Sequence, residues 1–273
     1  MEVRRRSLVF PREHGAWGML LVPLVTGAAG ALFVEGNWPP LAPLIIVALS
    51  LFWMRTPVES WIGSGAIRAR NEREFALVRN AAAALGAVAL LALAWLFWVA
   101  ENRILLLEIG AAAAAAFVAQ AVVRRLWPAA RTVSQIIGGA GLTSLAAAAY
   151  CVVTGGIDLR GWMLWLANFL FAVNQIQYVH LRIHAARASN RREKLSAGRA
   201  FLAAQILLAA VLAIAAAGHA WSWWAAAAFL PLLVRGFAWF AAAPAPLVIH
   251  RLGQQELFQA ILFGVLLVAG LQF

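Results

Sequence analysis

Residues 161–187 read GWMLWLANFLFAVNQIQYVHLRIHAAR, a stretch that is mainly apolar in its first half and dense in amides, histidines and arginines in its second. Its length matches the roughly 20 residues that a helix needs to cross the hydrocarbon core of a bilayer. Polar side chains at membrane depth are costly unless protein groups or water satisfy them. The stretch therefore predicts a membrane helix whose second half faces the interior of a bundle or a wet cavity.

Apolar blocks of similar length lie on both sides of this stretch. They predict nine spans, at about 16–34, 40–54, 80–100, 104–122, 133–154, 161–181, 200–218, 221–240 and 255–272. The composition agrees, because 64% of the 273 residues are hydrophobic, 12% are charged and the mean hydropathy is +0.81. The sequence thus predicts an all-α integral membrane protein, with residues 1–273 forming a single polytopic domain of about nine transmembrane helices.

Positive charge is distributed unevenly between the predicted loops. With the N-terminus in the cytoplasm and the C-terminus outside, 20 of the 22 Lys and Arg residues fall on the cytoplasmic side, and only Arg103 and Arg160 fall outside. The longest cytoplasmic gaps are 55–79 and 182–199. We therefore expect a multi-pass protein of a bacterial-type cytoplasmic (inner) membrane, in contact with membrane lipid. Topology explains the net charge of +11, so nucleic acid is not an expected partner.

Polar and ionisable residues concentrate at the cytoplasmic ends of several spans, where they predict the mouth of a cavity. The candidate ligand-binding residues are Glu13, Arg55, Arg124, Arg131, Gln135, Asn168, Asn174, Gln177, Tyr178, Arg182 and Glu256. The candidate catalytic residues are His14, Glu59 and His180. Either histidine could act as a general base, because the unperturbed pKa of imidazole lies near neutral pH.

Structural roles are the alternative for these groups. The amides and hydroxyls of the sixth span can join helices by interhelical hydrogen bonds. Arg55 and Glu59 stand one helical turn apart and can pair with each other if the helix continues. The pair Gly138-Gly139, followed by Gly141, permits either close contact with a neighbouring helix or a break in the fifth span.

Longer segments resemble two known families. The stretch VVRRLWPAARTVSQIIGGAGLTSLAAAAYCVVTG, followed by WLANFLFAVNQIQY, is similar to helices of the UbiA superfamily of intramembrane prenyltransferases, whose nine-helix fold agrees with the predicted spans. The opening PREHGAWGMLLVP, the segment RTPVE and the late RLGQQE resemble the YwiC-like membrane proteins, across most of the chain. The resemblance implies a UbiA-like bundle with a cavity for a long apolar molecule.

The resemblance to the prenyltransferases fails at their catalytic motifs. Those enzymes hold Mg²⁺ with two aspartate-rich motifs, and the metal grips the diphosphate of a polyprenyl donor. This sequence has one aspartate, Asp158, expected on the outer side. Glu59 is the only carboxylate near the place of the first motif, and amides and histidines occupy the place of the second. Metal-assisted prenyl transfer by the usual mechanism is therefore not expected.

Three functional hypotheses remain. The chain is a divergent transferase in which arginines replace the metal as the clamp on a diphosphate, and these arginines are Arg55, Arg124, Arg131 and Arg182. Alternatively, it binds or transports a polyprenyl, quinone-like or haem-like ligand without chemistry, with His180 and His184 as candidate ligands of a metal or haem. The third hypothesis is a structural or assembly role without a ligand. The sequence leaves the cofactor, the identity of the ligand and the oligomeric state open.

Overall fold

The structure is a computed structural model that describes residues 2–10, 14–63, 67–243 and 247–271. These residues form helices and no strands, which confirms the predicted all-α class. Within them the α-helices are α1 (Glu2–Val9), α2 (His14–Gly30), α3 (Leu41–Ile62), α4 (Glu72–Val99), α5 (Arg103–Leu126), α6 (Arg131–Thr154), α7 (Leu159–His184), α8 (Arg191–Ala217), α9 (Trp223–Ala227), α10 (Leu230–Ala241) and α11 (Ile249–Gly270). Short 3-10 turns follow α2, precede α6 and follow α7.

Among the described residues, seven helical segments are long and apolar enough to cross a membrane. They are α3, α4, α5, α6, α8, the α9–α10 pair and α11. The apolar part of α2 is shorter, Trp17–Gly30, and the amides and tryptophans of α7 lower its hydropathy. The apolar helices indicate a multi-pass membrane protein.

α3 is longer than the sequence predicts. The apolar block ends at residue 54, but the helix continues through the buried Pro57 to Ile62. A proline inside a helix removes one backbone hydrogen bond, which the rest of this 22-residue helix tolerates. Gly63 then ends the helix with φ +78°, a left-handed conformation that glycine adopts without strain.

Other predicted boundaries also shift. Asn71 and Asn190 each accept a hydrogen bond of 2.9 Å from the backbone N–H three residues later, and these caps start α4 and α8 before their apolar blocks. The span predicted at 221–240 is divided instead, because Pro231 lies in the first turn of α10 after the short α9. Polar helical turns therefore occupy much of the predicted gaps.

α6 lies at the centre of the bundle, where it packs against α2, α5 and α7. In the most apolar stretch of α6, 67% of the residues are buried. The corresponding shares are 17% for α4 and 11% for α5, so these two helices are peripheral. α3 and α4 form a hairpin that packs along its length, and α5 and α6 form another. α4 and α5 make no extended contact with each other, although only residues 100–102 separate them.

Glycines bring α6 close to its neighbours. A Cβ on Gly27 of α2 would lie 2.2 Å from the backbone oxygen of Ala146, and a Cβ on Gly138 would lie 2.0 Å from Oε1 of Gln120 on α5. Both distances are far below ordinary van der Waals contact. The obstacle at Gly27 is backbone, so only glycine fits there, whereas at Gly138 it is the end of the flexible Gln120 side chain. α6 is continuous across these glycines, which confirms the close-contact alternative and not the break.

The short helix α1, which the sequence analysis did not predict, attaches to α3 and α4. Arg4 Nε donates to Glu74 Oε1 at 2.9 Å, and this hydrogen bond raises the pKa of the Arg4 guanidinium. Trp53 Nε1 donates to the carbonyl of Val9 at 3.0 Å, and Leu8 is fully buried. These contacts place α1 at the end of the bundle where α3 ends and α4 begins.

We expect Gly27→Ala to lower the free energy of unfolding by roughly 1–3 kcal/mol, because the added methyl group forces α2 and α6 apart. The midpoint of thermal unfolding of the purified protein in detergent measures this loss. Gly110→Ala is the matched control, since nothing lies within 4 Å of a Cβ there. Equal midpoints for the two variants would contradict the close α2–α6 crossing.

Candidate functional site

A cavity of about 2330 Å³, here called the main cavity, is lined by residues of α2 to α7 and α11. Its lining follows α3 from Leu44 to Glu59, which is roughly 22 Å of helix at about 1.5 Å per residue. Pockets for small molecules usually measure roughly 300–1,000 Å³. The main cavity is therefore larger than a usual small-molecule pocket.

Most of the main cavity is apolar. Leu51 and Phe52 of α3 face it, as do Phe97 of α4 and Leu106 and Phe117 of α5. Because α4 and α5 make no extended contact, the main cavity lies between the α3–α4 hairpin and the α5–α6 hairpin, which meet where α3 contacts α6.

One end of the main cavity is polar, and we call it the polar mouth. It lies where α3, α5 and α7 end and where α6 and α11 begin. Seven of the predicted site residues line the main cavity there, namely Arg55, Glu59, Arg124, Arg131, Gln135, His180 and Glu256. Two further predictions cannot be placed, because Glu13 and the side chain of His14 lie outside the described residues.

Arg55 and Glu59 form an ion pair in the polar mouth, with 2.9 Å between Arg55 Nε and Glu59 Oε1. The pairing alternative from the sequence is thereby confirmed. The two side chains are 54% and 33% exposed, so the pair contributes no more than about 1 kcal/mol to stability. Arg124 and Arg131 are also exposed, at the two ends of the turn that joins α5 to α6.

His180 is held between α7 and α6 by both ring nitrogens. When the ring is neutral, its Nε2 donates to Gln135 Oε1, since an amide oxygen can only accept, and its Nδ1 accepts from Thr132 Oγ1 at 3.1 Å. This arrangement places a hydroxyl (Thr132) next to a base (His180) that is held by an orienting group (Gln135), which is the order that nucleophilic sites use. The sequence analysis missed Thr132, although its position three residues before Gln135 puts both on one face of α6.

The histidines and carboxylates do not form a metal cage. His184 Nδ1 hydrogen-bonds the backbone oxygen of His180 at 2.8 Å, and the described residues contain no group of three or more His, Cys, Asp or Glu side chains that could hold a metal ion. Asp158 caps the opposite end of α7, where its Oδ1 accepts from the Gly161 N–H at 3.0 Å. With Glu59 already paired, the residues of the polar mouth do not fit a Mg²⁺ site.

Three predicted residues of α7 lie outside the lining of the main cavity. Asn168 is 1% exposed and donates from Nδ2 to Thr26 Oγ1 of α2 at 2.9 Å, which is an interhelical role. Asn174 is buried, and its Oδ1 has no hydrogen-bond partner among the described residues. Gln177 is half-buried on the same helix.

The remaining two, Tyr178 and Arg182, line a second pocket of about 710 Å³ between α7, α10 and α11. Arg235 of α10 also lines it, and its Nη1 donates to Glu256 Oε1 at 2.6 Å while its guanidinium lies 4.0 Å from the Tyr178 ring centroid. The side chains of Arg235 and Glu256 are only 13% and 4% exposed. From the sequence, Arg235 was counted only among the positive charges of the loops. Its position inside the predicted span 221–240 was nevertheless a signal of a functional role.

A protein-family model described as a YwiC-like protein matches residues 10–150, just over half of the chain. The match covers α2 to α5 and most of α6, which form most of the wall of the main cavity. A comparison with curated proteins finds no match.

We expect Glu256→Ala to reduce the free energy of unfolding by roughly 3–5 kcal/mol, because it leaves the Arg235 guanidinium buried without its carboxylate. Glu59→Ala, which breaks the exposed pair, is the matched control and is expected to reduce it by less than about 1 kcal/mol. Unfolding of both purified variants in a denaturing detergent titration measures the difference. Similar losses in the two variants would show that the Arg235–Glu256 pair is not buried.

Proposed function

The chain belongs to the family of YwiC-like proteins, and we propose that it is a UbiA-like intramembrane protein whose main cavity holds a lipophilic ligand of polyprenyl, quinone-like or tetrapyrrole type. This proposal rests on the uneven distribution of polar groups in the main cavity. Its long body is apolar, and its mouth is lined by arginines, histidines and amides. Apolar walls exposed to water are unfavourable, and an apolar chain that fills the main cavity removes that exposure. The ligand is therefore an amphiphile with a polar or anionic head.

The proposal includes nine membrane spans, with α2 and α7 added to the seven apolar segments. α2 packs against α6, α7 and α11, and α7 packs against α2 and α6. A helix surrounded by protein does not need the apolar surface that lipid demands of a peripheral helix. The 26 residues of α7 correspond to roughly 39 Å, which is more than the thickness of the hydrocarbon core.

The orientation follows from charge. Nearly all arginines lie at the end that carries the polar mouth, whereas Arg103 and Arg160 lie at the starts of α5 and α7. The positive-inside rule assigns the arginine-rich end to the cytoplasm. The protein is then one polytopic domain of a bacterial-type inner membrane, and its polar mouth opens toward the cytoplasm.

Arg124 and Arg131 are the best-placed groups for the head of the ligand. Both line the polar mouth and are exposed, and they come from different helices. A guanidinium binds two oxygens of a phosphate or carboxylate in parallel, so two such groups can hold a diphosphate without a metal. Arg55 contributes less to this clamp because Glu59 already occupies its Nε.

A second candidate function, a divergent transferase acting on the same ligand, is favoured by the contacts of His180. With Nε2 bonded to Gln135, the Nδ1 atom accepts a hydrogen bond from Thr132 and can accept a proton from that hydroxyl or from a hydroxyl of a bound acceptor. The acceptor oxygen would bond to the first carbon of the prenyl group as the bond from that carbon to the diphosphate breaks, and the arginines of the polar mouth would stabilise the leaving diphosphate. Without this reaction, the same main cavity serves binding or transport.

Gly110→Phe tests the occupant of the main cavity. Gly110 lines it with open space around its Cβ position, so a phenylalanine there fills part of the volume. We expect at least a roughly tenfold drop in the lipid that co-purifies with the protein, measured by lipid-resolved mass spectrometry, since tenfold corresponds to only about 1.4 kcal/mol of binding free energy.

Ala112→Phe is the matched control, because Ala112 lies on the same helix, is exposed and does not line the main cavity. It is expected to co-purify the same lipid in the wild-type amount. The proposal is contradicted if wild-type protein carries no specific lipid, or if both variants carry as much as wild type.

The transferase candidate is tested with farnesyl diphosphate as the probe. Release of diphosphate is followed by phosphorus NMR, and Thr132→Val and His180→Gln are expected to slow it by roughly 100-fold or more, the usual contribution of a general base. Thr143→Val is the control, because Thr143 is buried, bonds the carbonyl of Gly139 in its own helix and does not line the main cavity. Binding of the probe without release of diphosphate would leave binding or transport as the function.

A further inference from the structure

α11 separates two compartments at the arginine-rich end of the bundle. Ile249, His250, Leu252, Gly253 and Glu256 line the main cavity, whereas Arg251, Gln254, Gln255, Phe258 and Gln259 line the second pocket. The second set is spaced by three and four residues, so its members share one face of the helix. The residues of the segment RLGQQE are therefore divided between the two compartments.

We propose that the second pocket is a separate binding site for a phosphate-bearing group, independent of the ligand in the main cavity. Three helices each bring one arginine to it, Arg182 from α7, Arg235 from α10 and Arg251 from α11. Guanidinium groups are the side chains best suited to phosphate, because their planar forks match two of its oxygens.

Charge in the second pocket favours an anion. Among the residues that the structure describes, no carboxylate lines it, and Glu256 pairs with one of its arginines, Arg235. Arg182 donates instead to the hydroxyl of Tyr178, at 3.2 Å. Three arginines with one paired carboxylate leave an excess of positive charge at the second pocket, which an anionic ligand would offset.

Arg235 carries the donors that such a ligand requires. Its Nη1 is used by Glu256, while its Nε and Nη2 have no hydrogen-bond partner among the described residues. Nε and Nη2 form the edge of a guanidinium that binds two oxygens in parallel. Buried donors without partners are rare in folded proteins. Both atoms are buried, so a phosphate group reaches them only after neighbouring side chains move.

Tyr178 and Gln259 complete the site. The Tyr178 ring lies against the Arg235 guanidinium and its hydroxyl accepts from Arg182, so one residue positions both cations. Oε1 of Gln259 is buried without a partner among the described residues. As an acceptor, this oxygen fits a hydroxyl of the ligand or a protonated phosphate oxygen.

The test measures thermal unfolding of the full-length protein in uncharged detergent, at constant ionic strength. The probes are inorganic phosphate, dihexanoyl phosphatidylglycerol and, as the ligand without phosphate, dihexanoylglycerol. A ligand that binds the folded state raises the unfolding temperature saturably. We expect at least one phosphate-bearing probe to do so, and dihexanoylglycerol not to.

Two arginine variants assign the response to a pocket. Arg251→Gln is expected to weaken the apparent affinity about tenfold, as loss of one hydrogen bond to a charged group does, and Arg182→Gln is expected to act alike. Arg125→Gln is the matched control, since Arg125 is exposed, as Arg251 is, but lines neither compartment. It is expected to leave the affinity unchanged.

The probes also distinguish the two sources of phosphate. Stabilisation by inorganic phosphate supports a soluble phosphate compound, and stabilisation by phosphatidylglycerol alone supports a lipid headgroup. The proposal is overturned if neither probe stabilises the wild-type protein, or if Arg251→Gln and Arg182→Gln retain the wild-type affinity.

Discussion

The polar face of α7 has to be covered by other helices, because an unsatisfied polar group in hydrocarbon costs several kcal/mol. Its contacts reach four different neighbours. Asn168 bonds α2, Gln175 donates to the backbone oxygen of Glu256 on α11 at 3.0 Å, and His180 bonds α6. Tyr178 lies against the arginine of α10. These contacts place α7 inside the bundle and arrange α2, α6, α10 and α11 around it.

The main cavity is a consequence of this arrangement. α3, α4 and α5 take no part in covering α7, and they are held mainly by contacts within their own hairpins. The α5 face that looks toward α3 and α4 carries small residues such as Gly110, Ala113 and Ala114, which leave volume unfilled. Large apolar residues of α3 and α4 supply the opposite wall. The same chain thus builds a polar core beside an apolar space.

Sequence patterns predicted the helices well because apolar blocks of membrane length are local features. The pairing of Arg55 with Glu59 was also accessible, since helical spacing alone brings the two together. Arg235 and Glu256 belong to different helices, and their contact depends on how α10 and α11 pack. Hydropathy likewise gives no signal for α1, whose attachment rests on contacts such as that of Arg4 with Glu74.

The two compartments could not be predicted from the sequence either, because they also depend on how the helices pack. Arg182 and Arg131 both stand at helix ends and look equivalent in the chain, yet they line different pockets on opposite sides of α11. Which face of α11 each residue meets depends on the rotation of that helix, and this rotation depends on its packing against α2 and α9 and on the bond from Gln175 of α7.

A cryo-electron microscopy structure of the full-length protein, bound to an antibody fragment, in lipid nanodiscs would show whether a lipid fills the main cavity. We expect continuous elongated density in the main cavity, with its polar end beside Arg124 and Arg131. A main cavity closed by contact between α4 and α5, with no such density, would contradict this expectation.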